Sequence, residues 1–319
     1  KENMFTTDYE DREFAVKPMN CPGGIMVYKN SPKSYKDLPI RMGELGIVHR
    51  KELSGVLAGL FRVVQFTQDD AHIFCTEEQL HDEIVGVVDL FRKMLREFGF
   101  PDYKFTISTR SKEKKDKYLG DDKIWKEAED ALEMGLNSLK LKFKKMPGEA
   151  KFYGPSLDVM IKDSLNREWQ CSTLQLDFTL PKRFELKYKD KGGNDKIPMM
   201  LHRVVFGALE RFIGLLTEHL DGKFPLWISP NQIKVISLND KSNNYSKKIY
   251  NKLFSEGFEV ELDNRNESIN KKVREAQIQK FNYIITIGKK EIDKKTIAVK
   301  SRGSKNIKTM NLEKFIIKL

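Results

Sequence analysis

The sequence RMGELGIVHRKELSGVLAGLFRVVQFTQDDAHIF, residues 41–74, is the segment around which the neighbouring part of the chain is organised. Val63–Phe66 is rich in β-branched and aromatic residues and predicts a strand, and Gly46–Val48 leads into a second strand. A glycine-bearing loop, Leu53–Gly59, lies between the two. The segment therefore predicts two strands joined by a long loop.

Charged and polar side chains are frequent in this segment, although it is apolar enough to be buried. They are Arg50, Glu52, Arg62, Gln68, Asp69, Asp70 and His72. Buried charges cost free energy unless they are paired or bind a ligand. Because residues two apart on a strand share a face, Arg50 and Glu52 would place a cation beside an anion. The pattern fits either surface strands with solvated charges or a site for a phosphate-bearing ligand, and periodicity does not decide between them.

Outward from this segment, the first 225 residues predict an α+β domain with antiparallel strands. The predicted helices cover residues 24–30, 76–98, 124–143 and 202–220, and the predicted strands cover 14–17, 103–108, 151–153, 157–162 and 168–179. Asn166–Arg167 is the turn of a hairpin formed by the last two strands. Thr173, Gln175 and Asp177 share one face of its second strand, which would be the floor of a polar pocket or a solvated surface, and Gln170 lies on the opposite face.

After residue 225 the pattern changes to strands that alternate with helices. Strands are predicted over 233–238, 258–262, 283–287 and 296–300, and helices over 246–254, 269–280 and 312–317. This alternation is typical of an α/β unit with a mostly parallel sheet. The sequence thus predicts two domains, residues 1–225 and 226–319.

The net charge of +11 lies almost entirely in the second domain, where 20 Lys and Arg face 10 Asp and Glu. A basic segment indicates a polyanionic partner, foremost a nucleic acid, although a generally lysine-rich composition gives the same balance. The three scattered cysteines argue against a disulfide framework and favour a reducing, cytoplasmic setting. The sequence contains no apolar run long enough for a membrane span, and its first residues are not typical of a signal peptide.

Four short strings resemble the threonyl-tRNA synthetases, a family of class II aminoacyl-tRNA synthetases. They are KPMNCPG (17–23), HRKE (49–52), FTQDDAHIF (66–74) and HRVVFGALERF (202–212), and they stand in the family's order and spacing. The resemblance covers essentially the whole chain. It implies an α+β, antiparallel-sheet class II catalytic domain followed by an α/β anticodon-binding domain.

The resemblance implies a nucleotide site for ATP and Mg²⁺. In it, Arg50 contacts the α-phosphate with help from Arg62, and Arg211 contacts the γ-phosphate. The adenine lies by Glu52, Phe66 and Gln170. Fixed guanidinium groups suit this chemistry, because attack of a carboxylate on the α-phosphorus builds negative charge on the phosphate oxygens.

The resemblance also implies one zinc ion per chain, held by Cys21, His72 and His202. The residues alone favour a turn thiol and two core histidines, since their spacing matches no local zinc motif. In the family, the amino group and hydroxyl of threonine complete the coordination. Asp70 would accept from that hydroxyl, and the pocket would be lined by Gln68, Tyr153, Thr173 and Gln175.

Four residues of the second domain, Asn266, Arg274, Glu291 and Lys300, match positions that read the anticodon. Lys300 departs from an arginine of the family and so loses bidentate hydrogen bonding. Gly24 replaces a histidine common in relatives, and Ser156 replaces a lysine near the phosphates. The family's first motif, which forms its homodimer interface, and its N-terminal editing domain are expected to lie outside these 319 residues.

The sequence therefore predicts a threonine–tRNA ligase that acts on L-threonine, ATP and tRNA(Thr). Two alternatives remain at this point. A prolyl enzyme would share fold and tail, but proline offers no hydroxyl to a metal. A non-catalytic RNA-binding relative would have no need of Arg50, Glu52 and Arg211 together.

Overall fold

A computed structural model describes residues 4–111, 113 and 115–319 of the chain. The chain forms two compact units, of which the first extends to Glu218 and the second comprises His219–Leu319. The sequence places the boundary seven residues later, after Pro225. Among the described residues, no helix combines the length and apolarity that crossing a bilayer requires.

The first unit is built around a seven-stranded sheet with helices packed against it. The strands of the whole unit, including those outside the large sheet, are β1 (Thr6–Tyr9), β2 (Arg12–Ala15), β3 (Ile40–His49), β4 (Gln65–Cys75), β5 (Tyr103–Thr109), β6 (Phe143–Pro147), β7 (Ser156–Lys162), β8 (Glu168–Asp177), β9 (Tyr188–Lys189), β10 (Asp195–Lys196) and β11 (Met199–Ala208). Its helices are α1 (Cys21–Lys29), α2 (Leu80–Glu97), α3 (Asp122–Ser138), α4 (Leu180–Arg183) and α5 (Leu209–His219).

The large sheet has the strand order β3-β4-β11-β8-β7-β5-β6, and every neighbouring pair except β5–β6 is antiparallel. Helices α2 and α3 pack closely on each other, since a Cβ on Gly135 would lie 2.4 Å from Ile84 Cγ2. Helix α1 lies over the other part of the sheet, where Ile25 and Tyr28 pack with Phe74 and Met200. The antiparallel α+β architecture predicted for this domain is confirmed.

The predicted helix 202–220 is wrong in its first seven residues. Residues 200–204 pair in register with both β4 and β8, so the segment is a central strand and the helix begins only at Leu209. The run of Val204, Val205 and Phe206 fits a strand, but its spacing also matches a helix. Pairing on both sides outweighs local periodicity here.

Smaller differences concern where elements begin. Strand β4 starts at Gln65 rather than at Val63, and the predicted helix 124–143 is α3 followed by the short strand β6. The predicted strand 151–153 is only an isolated bridge between Lys151 and Gly154.

The second unit contains a five-stranded sheet of order β13-β12-β14-β15-β16. Its strands are β12 (Ile233–Ser237), β13 (Val260–Asp263), β14 (Tyr283–Ile287), β15 (Ile297–Ser301) and β16 (Ile307–Met310), and its helices are α6 (Asp240–Ser255), α7 (Ile269–Ile278), α8 (Lys289–Lys294) and α9 (Leu312–Lys318). β13, β12 and β14 are parallel, and β15 and β16 are antiparallel additions. The predicted α/β class is confirmed, while β16 and α8 were not predicted.

Candidate active site and metal centre

Strand β4 bears four of the candidate site residues. Its residues Phe66, Gln68, Asp70 and His72 alternate along the strand and therefore point to one face of the sheet. Helix α1 begins beside this face at Cys21, directly after the Pro-Met-Asn segment 18–20. The sheet thus brings a helix terminus and a row of polar side chains together.

Cys21, His72 and His202 converge on this face. Their ligand atoms all lie within 4.8 Å of one another, and all three residues are buried. The register of the sheet causes the approach, since His202 on β11 pairs directly with His72 on β4 and the two rings are 5.0 Å apart. One thiol and two imidazoles in this arrangement match an open three-ligand zinc set.

The state of His72 also fits a metal. Burial, together with the neighbouring His202, lowers the pKa of His72 to about 3, so the ring is neutral and its nitrogens can act as ligands. Among the described residues, His72 Nε2 is buried without a hydrogen-bond partner. A buried nitrogen of this kind is costly unless something binds it.

Asp177 forms a hydrogen bond with His202, the third member of the set. Its Oδ2 lies 3.0 Å from His202 Nε2, and its side chain is fully buried. Burial alone would lower the pKa of His202, but the hydrogen bonds to Asp177 and Cys21 raise it to about 9. A carboxylate behind a histidine is the usual way to orient a metal-ligating imidazole. The sequence placed Asp177 on the correct strand face but gave no sign of this contact.

Of the five residues expected to bind the amino acid, Asp70 and Tyr153 lie next to the two histidines, and Gln175 pairs with His202 across β8 and β11. Asp70 Oδ1 lies 3.8 Å from His72 Nε2, and burial raises the pKa of Asp70 while a hydrogen bond from Asn20 opposes that rise. Tyr153 packs its ring 5.7 Å from that of His202 and donates to Gln175 Oε1. Gln175 in turn donates to Thr173 Oγ1 at 3.3 Å. Gln68 lies on the same face of β4, paired with Gly46.

Three guanidinium groups form a second cluster near the ends of β3 and β4 and the start of α5. Arg50 lies 5.2 Å from the ring centre of Phe66, and Arg62 pairs with Glu52 at 2.8 Å. Burial lowers the pKa of Arg211, and the positive charges of Arg62 and Arg50 lower it further. Arginines that repel one another within a partly buried site are suited to bind an anion with several negative charges.

Trp169 is a residue of this cluster that sequence reasoning missed. Its indole lies 5.4 Å from the Arg211 guanidinium and 5.1 Å from the ring of Phe61, whose carbonyl accepts from Arg211 Nε at 2.7 Å. Its Nε1 donates to Asp163 at 2.9 Å. The guanidinium group of Arg211 therefore packs against the indole of Trp169.

Gln170 lies on the same face as Thr173, contrary to the simple alternation expected along β8. The register between β7 and β8 shifts by one residue between the pairs Asp158–Thr173 and Met160–Gln170. As a result, both side chains donate to Asp158 Oδ1, each at 2.6 Å. Ser156 donates to Asp158 Oδ2 at 2.8 Å and is buried. A bulge of this type has no sequence signature that would have revealed it.

In the second unit, two of the four anticodon candidates lie at the carboxyl ends of the parallel strands. Asn266 is exposed beyond the end of β13, and Glu291 lies after β14, where its Oε2 accepts from the backbone of Gly288 at 2.9 Å. Arg274 is exposed on α7. Lys300 pairs with Ile284, near the opposite end of β14.

Comparisons with known proteins agree with both halves of this architecture. Residues 5–220 match the family model described as the tRNA synthetase class II core domain (G, H, P, S and T), and residues 232–319 match the anticodon binding domain. Threonine–tRNA ligases of Carboxydothermus hydrogenoformans and Caldanaerobacter subterraneus are 48% and 47% identical over all 319 residues. The chain spans about half the length of these curated relatives, 50% and 49%.

A solved structure gives the same result in three dimensions. The crystal structure described as the RNA binding domain of threonyl-tRNA synthetase from Cryptosporidium parvum superimposes with a TM-score of 0.94 at 41% sequence identity. The match covers 100% of this chain and 79% of that one. The similarity therefore extends over both units.

Proposed function

Because this chain belongs to the threonyl-tRNA synthetase family of class II aminoacyl-tRNA synthetases, we propose that the protein is a threonine–tRNA ligase. It activates L-threonine with ATP to threonyl-adenylate and then transfers the threonyl group to tRNA(Thr). The observation that carries this proposal is the convergence of Cys21, His72 and His202 within 4.8 Å of one another. The thiol and the two imidazoles lie beside the buried carboxylate of Asp177, which is hydrogen-bonded to His202.

The proposed cofactor is one zinc ion per chain, held by Cys21, His72 and His202. A zinc with three protein ligands keeps a position free, and when bound it supplies a Lewis acid that accepts amino and hydroxyl groups. Asp177 fixes the orientation of the His202 ring. Burial keeps His72 neutral, as ligation requires.

Selection of threonine is the task that this arrangement serves. Valine is nearly isosteric with threonine, and an apolar pocket separates such pairs by only about 1–3 kcal/mol. A site that hydrogen-bonds the hydroxyl rejects the analogue without it far more strongly, because its polar groups are left unpaired. Asp70 is the proposed acceptor, and Gln68, Tyr153, Thr173 and Gln175 line the rest of the pocket.

The arginine cluster is proposed to bind ATP, which arrives with Mg²⁺. A carboxylate oxygen of the amino acid attacks the α-phosphorus, and the bond to the departing diphosphate breaks. The carboxylate is already ionised at neutral pH, so no general base is needed. Arg50 and Arg62 stabilise the charge at the α-phosphate and Arg211 that at the γ-phosphate, while Glu52, Phe66 and Gln170 hold the adenine side.

The second unit is proposed to bind the anticodon of tRNA(Thr). Asn266, Arg274, Glu291 and Lys300 are the proposed base-contacting residues, and the excess of basic residues in this part of the chain favours RNA. A cytoplasmic homodimer completes the proposal for the whole protein.

The test is ATP–pyrophosphate exchange catalysed by the full-length protein with single amino acids. We expect exchange with threonine, and a kcat/KM for valine lower by at least about a thousandfold, because Asp70 and the metal both require a hydroxyl. Proline is a second comparison and should give no exchange. Equal rates with threonine and valine, or exchange with proline alone, would contradict the proposal.

A further inference from the structure

Asn20 is a buried residue beside the site to which neither the mechanism nor the resemblance gives a role. It is 2% exposed and immediately precedes Cys21. Its Nδ2 donates to Asp70 Oδ2 at 3.1 Å, a bond between residues fifty positions apart in the sequence. Asn20 therefore contacts the carboxylate that is proposed to bind the substrate hydroxyl.

This hydrogen bond gives the two carboxylate oxygens of Asp70 different surroundings. Oδ2 is occupied by Asn20, while Oδ1 faces His72, whose Nε2 is 3.8 Å away and so beyond hydrogen-bond distance. Oδ1 is thus the oxygen that lies on the side of the metal ligands and keeps its capacity to accept. The amide orientation is also determined, because the reversed amide would set its oxygen against the carboxylate.

Asn20 keeps this orientation at a cost. Within the described part of the chain, its Oδ1 is buried and has no hydrogen-bond partner. An unpaired buried acceptor is unfavourable, so surrounding packing must hold the amide in place.

Gly46 on β3 provides the room for that packing. A Cβ at position 46 would lie 2.3 Å from Asn20 Oδ1 and 2.4 Å from its Cγ and Nδ2. The glycine does not adopt a left-handed backbone, and it pairs regularly with Gln68. Space for Asn20, rather than backbone conformation, therefore requires a glycine here.

We infer that Asn20, seated against Gly46, is a positioning residue that presents Asp70 Oδ1 to the hydroxyl of the amino acid. Gly46 is in this way a determinant of specificity, although it touches no substrate. The inference rests on the proposed function and extends it to two residues outside the ligand and pocket sets.

The experiment compares three variants of the full-length protein in ATP–pyrophosphate exchange. Asn20→Ala and Gly46→Ala should each lower kcat/KM for threonine by about ten- to hundredfold, the range expected for a lost hydrogen bond to a charged group. The effect should lie in the KM for threonine and in discrimination against valine, with the KM for ATP and the zinc content unchanged. Gly43→Ala is the matched control on the same strand, since its Cβ would meet Ala71 Cβ and Asp70 O at an ordinary 3.7 Å.

The double variant separates positioning from a general structural role. Once Asn20 is alanine, the obstructing amide is gone, so adding Gly46→Ala should cost little more. Because Asn20→Ala only removes atoms, it introduces no steric clash. It therefore tests the inference even if Gly46→Ala lowers the melting temperature.

Two results would overturn the inference, and they differ. A wild-type protein that shows no threonine-dependent exchange would remove the proposed function and the inference with it. A threonine-active wild type whose Asn20→Ala variant keeps its KM for threonine and its discrimination against valine would remove the inference alone.

Discussion

Cys21 is one of three buried cysteines, and among the described residues it is the one whose thiol lies with two imidazoles. The Cys21→Ser substitution replaces the soft thiolate donor that zinc prefers with a hydroxyl oxygen that binds zinc more weakly. We expect the wild-type protein to contain about one zinc per chain by atomic absorption and Cys21→Ser to contain much less.

Cys171→Ser is the matched control for that substitution. Cys171 is also buried, but its thiol donates to the carbonyl of Val205, and it is not part of the group formed by Cys21, His72 and His202. It should keep its zinc. Full zinc content in Cys21→Ser would contradict the metal site.

The proposed metal ligands and pocket residues could be predicted only from the resemblance to the family. Residue spacing could not reveal that His72 and His202 are paired neighbours, because that depends on the register of two strands 130 positions apart. Asp177, Asn20 and Trp169 act through contacts with residues far away in the sequence. Such contacts exist only once the sheet has formed.

Among the elements, the junction of β11 and α5 links His202, a proposed metal ligand, to Arg211. Gly207 lies in this junction with φ +76°, and a Cβ there would be 2.9 Å from the carbonyl oxygen of Cys171. The register shift beside it leaves the N–H groups of Val205 and Phe206 to bond the Asp69 carboxylate.

Gly207→Ala should therefore lower the free energy of unfolding by about 1–3 kcal/mol and reduce pyrophosphate exchange, since the strained backbone displaces both elements. Gly86→Ala is the control. Gly86 is inside α2 with no atom within 4 Å of its Cβ position, so alanine should stabilise by about 0.5–1 kcal/mol. Urea unfolding measures both, and an unchanged Gly207→Ala protein would contradict the strained junction.

The turn between β7 and β8 is held by the carboxylate of Asp163. It accepts from the backbone of Leu165 and Arg167 at 2.9 and 2.8 Å and from the side chains of Arg167 and Trp169 at 2.5 and 2.9 Å. Desolvation would raise its pKa, but these bonds together lower it from 3.8 to about 2.

A carboxyl whose pKa is lower in the folded state stabilises the protein above its unfolded pKa and loses that effect as pH falls through the folded one. Asp163→Asn turns an NH₂ toward N–H donors and should cost about 1–3 kcal/mol at pH 6. The difference from wild type should shrink between about pH 4 and 2. Glu168→Gln, which breaks an exposed pair with Lys104, should change stability by less than about 1 kcal/mol. A pH-independent difference for Asp163→Asn in urea titrations would refute this account.

The elements that could be predicted from sequence are those with a strong local pattern. Helices α2 and α3 bury one face each, and their apolar spacing shows it. Strand β11 was mistaken for helix because it is central, buried and flanked by pairing partners that no local pattern displays. The short strands β6 and β16 are sheet-edge additions whose few residues carry little periodicity.

At the scale of the whole molecule, the proposed work is divided between the two units. Asn266 and Arg274 are exposed in the second unit, so alanine at either position should raise the KM for tRNA(Thr) in aminoacylation and leave pyrophosphate exchange unchanged. Lys247→Ala on α6 is the control for lost positive charge and should have a smaller effect. If Arg274→Ala and Lys247→Ala behave alike and Asn266→Ala has no effect, the second unit attracts RNA by charge alone.

The change of fold class near residue 225 was visible in the sequence because strand and helix patterns alternate only after it. The two compact units of the structure meet at residues 218 and 219, where α5 ends, and the predicted boundary lies in the short loops that follow. The excess of basic residues indicated the kind of partner but not which residues face it.

Zinc K-edge X-ray absorption of the full-length protein would show whether a metal at Cys21, His72 and His202 binds the hydroxyl of the amino acid. We expect one sulfur at about 2.3 Å with nitrogen or oxygen ligands at about 2.0–2.2 Å. Threonine, but not valine, should change the nitrogen and oxygen shell. A shell of four protein ligands that is unaffected by threonine would contradict this expectation.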